Sequence, residues 1–364
     1  MKRVAIAHEY FCNMGGAELV ARVLHEMFPD APVYTLQIYD RNRGHAWMKG
    51  MALRTSFVQR LPFAGRTHEM FLPLLPYAIE HFDFSGYDLI LSSSSLIAKG
   101  LIPPPDALHI SYTQSRQRVA WDLSYAYIRT LPFFLRPFAE MYMHHLRLWD
   151  VAAAQRVDRF IANSHFVARR IEQLYRRTAE ALHPPADLDL FAPLETRRRE
   201  YYVIVGRLVR YKRFDLAVEA CKKLDAPLRV IGDGTERAAL ERLAGPRTEF
   251  LGLQSHAVIR EQLAGARALL FPGVEDFGIT LVEAQAMGCP VVAYAAGGAM
   301  ETVRDGETGV LFHAQNADAI ADALTRAAAI SFDEKFLNAH AQQFSIPNFK
   351  TRLHEMICKY EDAR

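Results

Sequence analysis

Two carboxylates, Glu275 and Glu283, lie in the stretch GVEDFGITLVEAQAMGCPVVA (273–293) with seven residues between them. Glu275 precedes a Phe-Gly pair, and Glu283 falls within an apolar run that reads as a helix opening near Gly278. Gly278 gives backbone freedom where that helix starts. Ile279, Val282 and Ala286 form its buried stripe, and Gly288 ends it. The backbone amides of Phe277, Gly278, Ile279 and Thr280 are then expected to be unpaired, and a helix N-terminus of this kind favours phosphate. A carboxylate beside the phosphate accepts from hydroxyls, and one a turn deeper accepts from a diol. Phosphate on amides with hydroxyls on carboxylates describes a nucleotide sugar. Two solvated surface acids would give the same spacing, because about a quarter of a typical chain is charged.

A second group is basic. In VGRLVRYKRFDLAV (205–218), Arg207 follows a predicted strand and Lys212 stands near the predicted opening of a helix. Arginine grips phosphate through two parallel N–H groups, and lysine adds a movable point charge. Together they would neutralise a departing diphosphate without a metal. Taken in isolation the pair reads equally as a solvated basic rim, which is the reading given to Arg210 and Arg213. A third group is NMGGAELV (13–20), where Gly15 and Gly16 let backbone approach a ligand closely, or simply form a tight strand-to-helix turn. No P-loop occurs. Neither HEYFCNMGG nor VGRLVR supplies the G-x-G-x-x-G with a later acid that a nicotinamide dehydrogenase wants.

These groups need a scaffold that carries them to one edge. The first half shows strands in RVAIAH, PVYTL, DLILSS, LHISY and RFIANS, separated mostly by helical patterns. The second half repeats the grammar with YYVIVGR, PLRVIGDG, TEFLG, RALLFPG, CPVVAYA and GVLF. Alternating strands and helices predict α/β domains with parallel sheets, and ligands of such sheets bind outside the carboxyl ends of the strands. The segment EALHPPADLDLFAPLETRRRE (180–200) mixes prolines, acids and a basic run without apolar periodicity, and marks a domain boundary. The predicted domains are 1–185, joined by a C-terminal amphipathic helix at about 347–364 that crosses back, and 198–345.

Composition narrows the classes. The 364 residues are 50% hydrophobic and 23% charged, enough for two soluble cores without staples. A net charge of +2 calls for no nucleic acid, although the first half is mildly basic and the second mildly acidic. Cys12, Cys221, Cys289 and Cys358 are scattered and read as reduced thiols. The start MKRVAIAHEY is not a signal peptide, and no apolar run approaches the roughly 20 residues of a span. The expected location is cytoplasmic.

Taken in order, GGAE, GRLVRYKRFD, IGDG, FLG and EDFGITLVEAQAMGCPVVAYAAGGAMETVRDGETGVLF resemble family 4 retaining glycosyltransferases of the GT-B fold. SYTQSRQRVAWD and ANSHFVARRI resemble the branch that contains bacterial mannosyltransferases of surface polysaccharide assembly. The similarity runs over about residues 3–350 and is most specific over 205–312. It implies two Rossmann-like domains facing across a cleft, with the nucleotide-sugar donor on the second and a lipid-linked or saccharide acceptor on the first. By the resemblance, Glu275 stands beside the donor sugar's hydroxyls and Glu283 holds the ribose. Arg207 and Lys212 bind the diphosphate. Gly15 and Gly16 face the donor phosphates, Phe277 to Thr280 form a backbone cradle, and Leu253 lies at the base. GDP-mannose is the donor implied by the branch, with UDP-linked hexoses second.

Many relatives carry histidine in a position that is Gln114 here, counting back from Trp121 of R-x-x-W-D. Glutamine can hydrogen-bond a sugar hydroxyl but cannot titrate. The resemblance implies transfer with retention by a front-face route in which the leaving diphosphate takes the acceptor proton. No cofactor or metal is expected, since no Asp-x-Asp motif flanks the site. A sugar-1-phosphate phosphorylase on the same fold and a non-enzymatic nucleotide-sugar sensor are the alternatives. The segments 54–82 and 129–149 mix Arg, His and aromatic residues, which suits either peripheral contact with an anionic membrane or a helix face packed on the first sheet.

Overall fold

The computed structural model describes residues 2–192 and 200–363, so the basic run of the predicted boundary and the predicted start at 198 lie outside the described residues. The chain divides into two compact units, Met1–Pro185 with Phe349–Arg364, and Ala186–Asn348.

In the first unit the strands are β1 (Val4–Phe11), β2 (Val33–Ile38), β3 (Leu53–Thr55), β4 (Leu89–Ser94), β5 (Leu108–Thr113), β6 (Arg159–Ala162) and β7 (Ala179–Ala181). Their order is β3-β2-β1-β4-β5-β6-β7, with every neighbouring pair parallel. β1, β4 and β5 are buried almost end to end, as central strands covered on both faces must be. The three-residue edges β3 and β7 were not foreseen from sequence. LRT and AEA are too short and too polar to carry a period.

A buried ion pair stands within this unit. Lys99 Nζ lies 2.6 Å from Asp150 Oδ1, and both side chains are almost fully enclosed. Asp150 Oδ2 accepts from Trp121 Nε1 and Tyr175 Oη, each at 2.8 Å. Burial opposes the Lys99 charge, but Asp150 outweighs it and raises the lysine's pKa. Trp121, part of the R-x-x-W-D stretch, is thus held by a structural contact.

The second unit's strands are β8 (Tyr201–Val205), β9 (Leu228–Ile231), β10 (Thr248–Gly252), β11 (Ala266–Phe271), β12 (Val291–Tyr294) and β13 (Gly309–Phe312). They form a parallel sheet in the order β10-β9-β8-β11-β12-β13. Val203, Val205, Leu269, Phe271, Val291 and Ala293 enter the core on one face. The alternate residues Tyr202, Ile204, Ala268, Leu270 and Val292 enter the core on the other. This two-residue alternation between two cores explains why the strands read as continuous apolar runs.

The chain returns to the first unit through the helix Ile346–Asp362. Phe349, Leu353, Ile357 and Tyr360 form its buried stripe, at helical spacing. The Phe349 ring packs edge-on to Tyr112 with centroids 5.5 Å apart. Lys350 pairs with Glu26 at 2.7 Å, and Lys359 with Glu180 at 2.9 Å.

Candidate active site

In the second unit the strand order reverses direction between β8 and β11, which are adjacent in the sheet but far apart in sequence. The loops that leave the carboxyl ends of these two strands therefore emerge side by side, at the switch point where open α/β sheets bind ligands. One loop carries Arg207 and Lys212. The other carries Glu275 and leads into the helix Ile279–Ala286.

Lys212 closes a short 3-10 turn, Arg210–Lys212, just before the helix Phe214–Lys223. Its Nζ lies 2.7 Å from Glu275 Oε1, and both side chains are mostly buried. The approach is an ion pair without hydrogen-bond alignment, which leaves Oε1 lacking a directed donor. Gly206 makes room for this ammonium. A Cβ there would stand 2.7 Å from Nζ, and one at Gly273 would stand 2.8 Å from the Lys212 backbone. Glu275 is fixed from behind as well, where the Gly298 amide donates to its carbonyl at 2.9 Å.

Gly278 adopts φ +87°, the left-handed conformation that lets the chain turn from the loop into the helix. No side chain caps this helix, so the amides of Ile279 and Thr280 have no acceptor among the described residues. Phe277 is buried against Phe344 with ring centroids 5.5 Å apart, a packing role that anchors the cradle. Glu283 lies a turn further on, with no partner among the described residues, and burial raises its carboxyl pKa to about 7. The Arg207 side chain is exposed and makes no ion pair among the described residues. Arg213, read as a rim residue, pairs with Asp215 at 3.1 Å. Leu253, just past β10, is 78% exposed. The structure thus brings Lys212, Glu275 and the 278–280 turn together and places Glu283 on the same short helix.

The first unit holds Gly15, Gly16 and Gln114. The glycine loop is occupied by its own chain. Glu18 Oε1 accepts from the Asn13 amide at 3.0 Å, and Oε2 accepts from the Gly15 amide at 2.9 Å. Burial pushes the Glu18 pKa up, but nearby His8 and these amides outweigh it, and the net shift is downward. The turn is therefore braced by a carboxylate, and Gly16 remains exposed at the start of the helix Gly16–Met27.

Gln114 follows β5 and donates from Nε2 to Ser93 Oγ at 2.7 Å, and Ser93 Oγ lies 3.2 Å from His8 Nδ1. Ser93 accepts from Gln114, and its hydroxyl can either donate to His8 Nδ1 or accept from it, according to the ring's tautomer. Burial lowers the His8 pKa, against the opposing fields of Glu18 and Glu9. Asn163 Nδ2 donates to the Gln114 backbone carbonyl at 2.7 Å.

Glu9 went unread in the sequence. Its buried carboxylate accepts from the backbone amides of Ser95, Leu96, Ile97 and Ala98 and from the hydroxyls of Ser94 and Ser95. An acid inside an apolar strand, together with the serine run LSSSSLIA, was the available signal. Among the described residues no cluster of metal-ligating side chains occurs.

Residues 188–341 match the family described as glycosyl transferases group 1, which takes in the whole of the β8–β11 switch point. Residues 188–341 thus carry a domain of that family, and the chain is built on two parallel-sheet α/β units of the GT-B type. Over 218 residues it is 31% identical to the D-inositol 3-phosphate glycosyltransferase of Mycolicibacterium paratuberculosis, covering 52% of this chain and 49% of that protein. The Mycobacterium leprae protein of the same name is 32% identical over 222 residues, covering 52% of each. The chain thus spans about half the length of the curated relatives it matches. Among solved structures, sucrose-phosphate synthase from Thermosynechococcus elongatus aligns over 100% of both chains with a TM-score of 0.74 at 18% identity. Anabaena HepE in complex with UDP and glucose aligns over 99% of this chain and 100% of its own, with a TM-score of 0.69 at 18% identity. These likenesses establish the fold.

Proposed function

We propose that this protein transfers a hexose from a nucleotide sugar to a lipid-linked or saccharide acceptor, with retention at the anomeric carbon and without a metal. The observation that carries the reading is the convergence of Lys212, Glu275 and the uncapped helix start at 278–280 beside one switch point. A diphosphate placed there meets the Ile279 and Thr280 amides and draws the Lys212 ammonium toward it. Glu275, released from the lysine, turns its free oxygen to the sugar's hydroxyls. Arg207, which makes no ion pair among the described residues, adds a second cation.

In this reading the transition state gains most from the charge that develops on the leaving diphosphate. Lys212 and the amides are already positioned for that charge, which is how preorganised groups lower a barrier. The leaving oxygen takes the acceptor's hydroxyl proton as the new glycosidic bond forms on the same face. No protein base is required, in keeping with glutamine at position 114. Two carboxylates of a retaining glycosidase would sit about 5–5.5 Å apart around the scissile bond. Here one serves the sugar and the other the ribose, so neither is a nucleophile.

GDP-mannose is the proposed donor, on the branch resemblance. UDP-hexoses are kept as the comparison because HepE was crystallised with UDP and glucose. Calorimetric titration with GDP, UDP and ADP, followed by turnover assays with the matching sugars before and after EDTA, tests the reading. Saturable binding of one nucleotide and EDTA-resistant transfer are expected. Activity lost to EDTA and restored by Mn²⁺ or Mg²⁺ overturns the metal-free mechanism. Phosphate-dependent cleavage of an oligosaccharide with no nucleotide requirement replaces transfer with phosphorolysis.

A further inference from the structure

The first unit carries an apolar surface that its own fold leaves uncovered. Between the helices Ser124–Thr130 and Arg136–Ala154 lies the 3-10 turn Phe133–Leu135, and none of its side chains is buried. Every residue from 132 to 138, PFFLRPF, is exposed, with Phe133 at 78%, Phe134 at 60% and Phe138 at 66%. Tyr125 on one side and Met141 on the other continue the patch. Isolated exposed apolar residues are ordinary, but a contiguous run of aromatic ones marks an interaction surface.

The neighbouring segment extends it. Tyr142 Oη donates to the Leu72 carbonyl at 2.6 Å, which fastens the helix Arg136–Ala154 beside the turn Glu69–Leu74. That segment and its surroundings expose Phe63, Met70, Leu74 and Tyr77. Two stretches distant in sequence thus present apolar side chains from elements that pack together in one core.

Charge decides what covers the tip. Within 125–141 the exposed Arg129 and Arg136 face a single acid, the exposed Glu140, and Glu69 on the neighbouring turn is exposed as well, so the tip itself carries a net positive charge of one. Arg136 donates from Nε to the Leu131 carbonyl at 3.1 Å and from Nη2 to the Arg129 carbonyl at 3.3 Å, which anchors its charge against the turn. Nearby Glu80 is paired with Arg156 at 2.6 Å and accepts from Trp149 Nε1 at 2.8 Å. Projecting phenylalanines with arginines at their base match the boundary of an anionic bilayer, where rings enter the acyl region and guanidinium groups stay with the headgroups. The helices involved do not span a bilayer, since no described helix is long and apolar enough.

We propose that the 125–141 tip, extended by Met70, Leu74 and Tyr77, docks this chain in the plane of an anionic lipid surface. The inference gives the proposed lipid-linked acceptor reading a physical site of contact, yet it is testable apart from transfer. The full chain is floated with phosphatidylcholine vesicles with and without phosphatidylglycerol, at low and high salt. Flotation is expected with the anionic vesicles at low salt. Phe133→Ser/Phe134→Ser, on a turn that buries nothing, is expected to bind them at least about tenfold more weakly, since each ring loses its apolar transfer. Its circular dichroism and its turnover on a soluble acceptor should be unchanged. A wild-type chain that stays unbound at low salt overturns the proposal, as does a double variant that floats equally well. Self-association by sedimentation that the double variant abolishes assigns the patch to a protein interface instead. Loss of soluble-acceptor turnover in the unmodified protein would strike the transferase reading and leave the flotation result standing.

Discussion

Glu283 offers a test that separates the helix's chemistry from its fold. Its carboxyl is desolvated and lacks a partner among the described residues, and its pKa is raised from 4.5 to about 7. The folded protein therefore keeps the proton through a range in which the unfolded chain has released it. Between pH 4.5 and 7 the native state binds more protons, so stability falls as pH rises, and above about 7 the penalty is constant. A shift of this size corresponds to roughly 3 kcal/mol at about 1.36 kcal/mol per unit, an upper figure because the side chain retains some exposure. Glu283→Gln removes the titration and keeps the shape. Relative to wild type it should gain on the order of 2–3 kcal/mol between pH 4.5 and 8. All three tryptophans, Trp47, Trp121 and Trp149, lie in the first unit, so their fluorescence would miss the effect. Urea unfolding followed by far-UV circular dichroism, or hydrogen exchange of 279–286, reads the second unit directly. If Glu283 holds the ribose diol as an ionised acceptor, nucleotide binding near pH 6 should also release up to about one proton, seen by calorimetry in buffers of different ionisation enthalpy, and the variant should release none. Parallel stability curves for the two proteins from pH 4.5 to 8 would refute the desolvation argument.

Two further outcomes bear on other parts of the chain. Lys212→Ala removes the cation held at Glu275 and should lower kcat by about 10²–10³ while the fold is retained, because its charge matters most as the diphosphate leaves; near-normal turnover counts against the assignment. Lys99→Met strips the enclosed Asp150 of its counter-charge and should destabilise the first unit by about 3–5 kcal/mol, read by tryptophan fluorescence in urea, with an unshifted midpoint contradicting the ion pair's role.

Much of the scaffold was legible because central parallel strands are apolar on both faces and announce themselves. β1, β2, β4, β5, β6 and all six strands of the second unit overlap the runs picked out from sequence, with β1 running on past its run to Phe11. β3 and β7 did not, because an edge strand of three residues pairs on one side only and needs little hydrophobic content. The segment 69–80, where a packed helix was one reading, forms a 3-10 turn followed by the short helix Leu75–Glu80, with Pro73 inside the turn. At the site, the residue types around 207–212 and 275–283 were readable, but the Lys212–Glu275 contact was not. It depends on β8 lying next to β11, a long-range fact that no local spacing encodes. The glycine turn at 15–16 illustrates the opposite case. Its composition suggested open amides, and only the fold reveals that Glu18 already claims two donors in the loop.

The first unit is discontinuous in the chain, since its final helix is specified by the last segment while the second unit is specified in between. During synthesis on a ribosome the second unit's sequence is therefore complete before the first unit can receive the helix that covers Tyr112 and pairs with Glu26 and Glu180. Until then the earlier-made half waits with a bare apolar flank, and the later-made half is the one free to finish folding first.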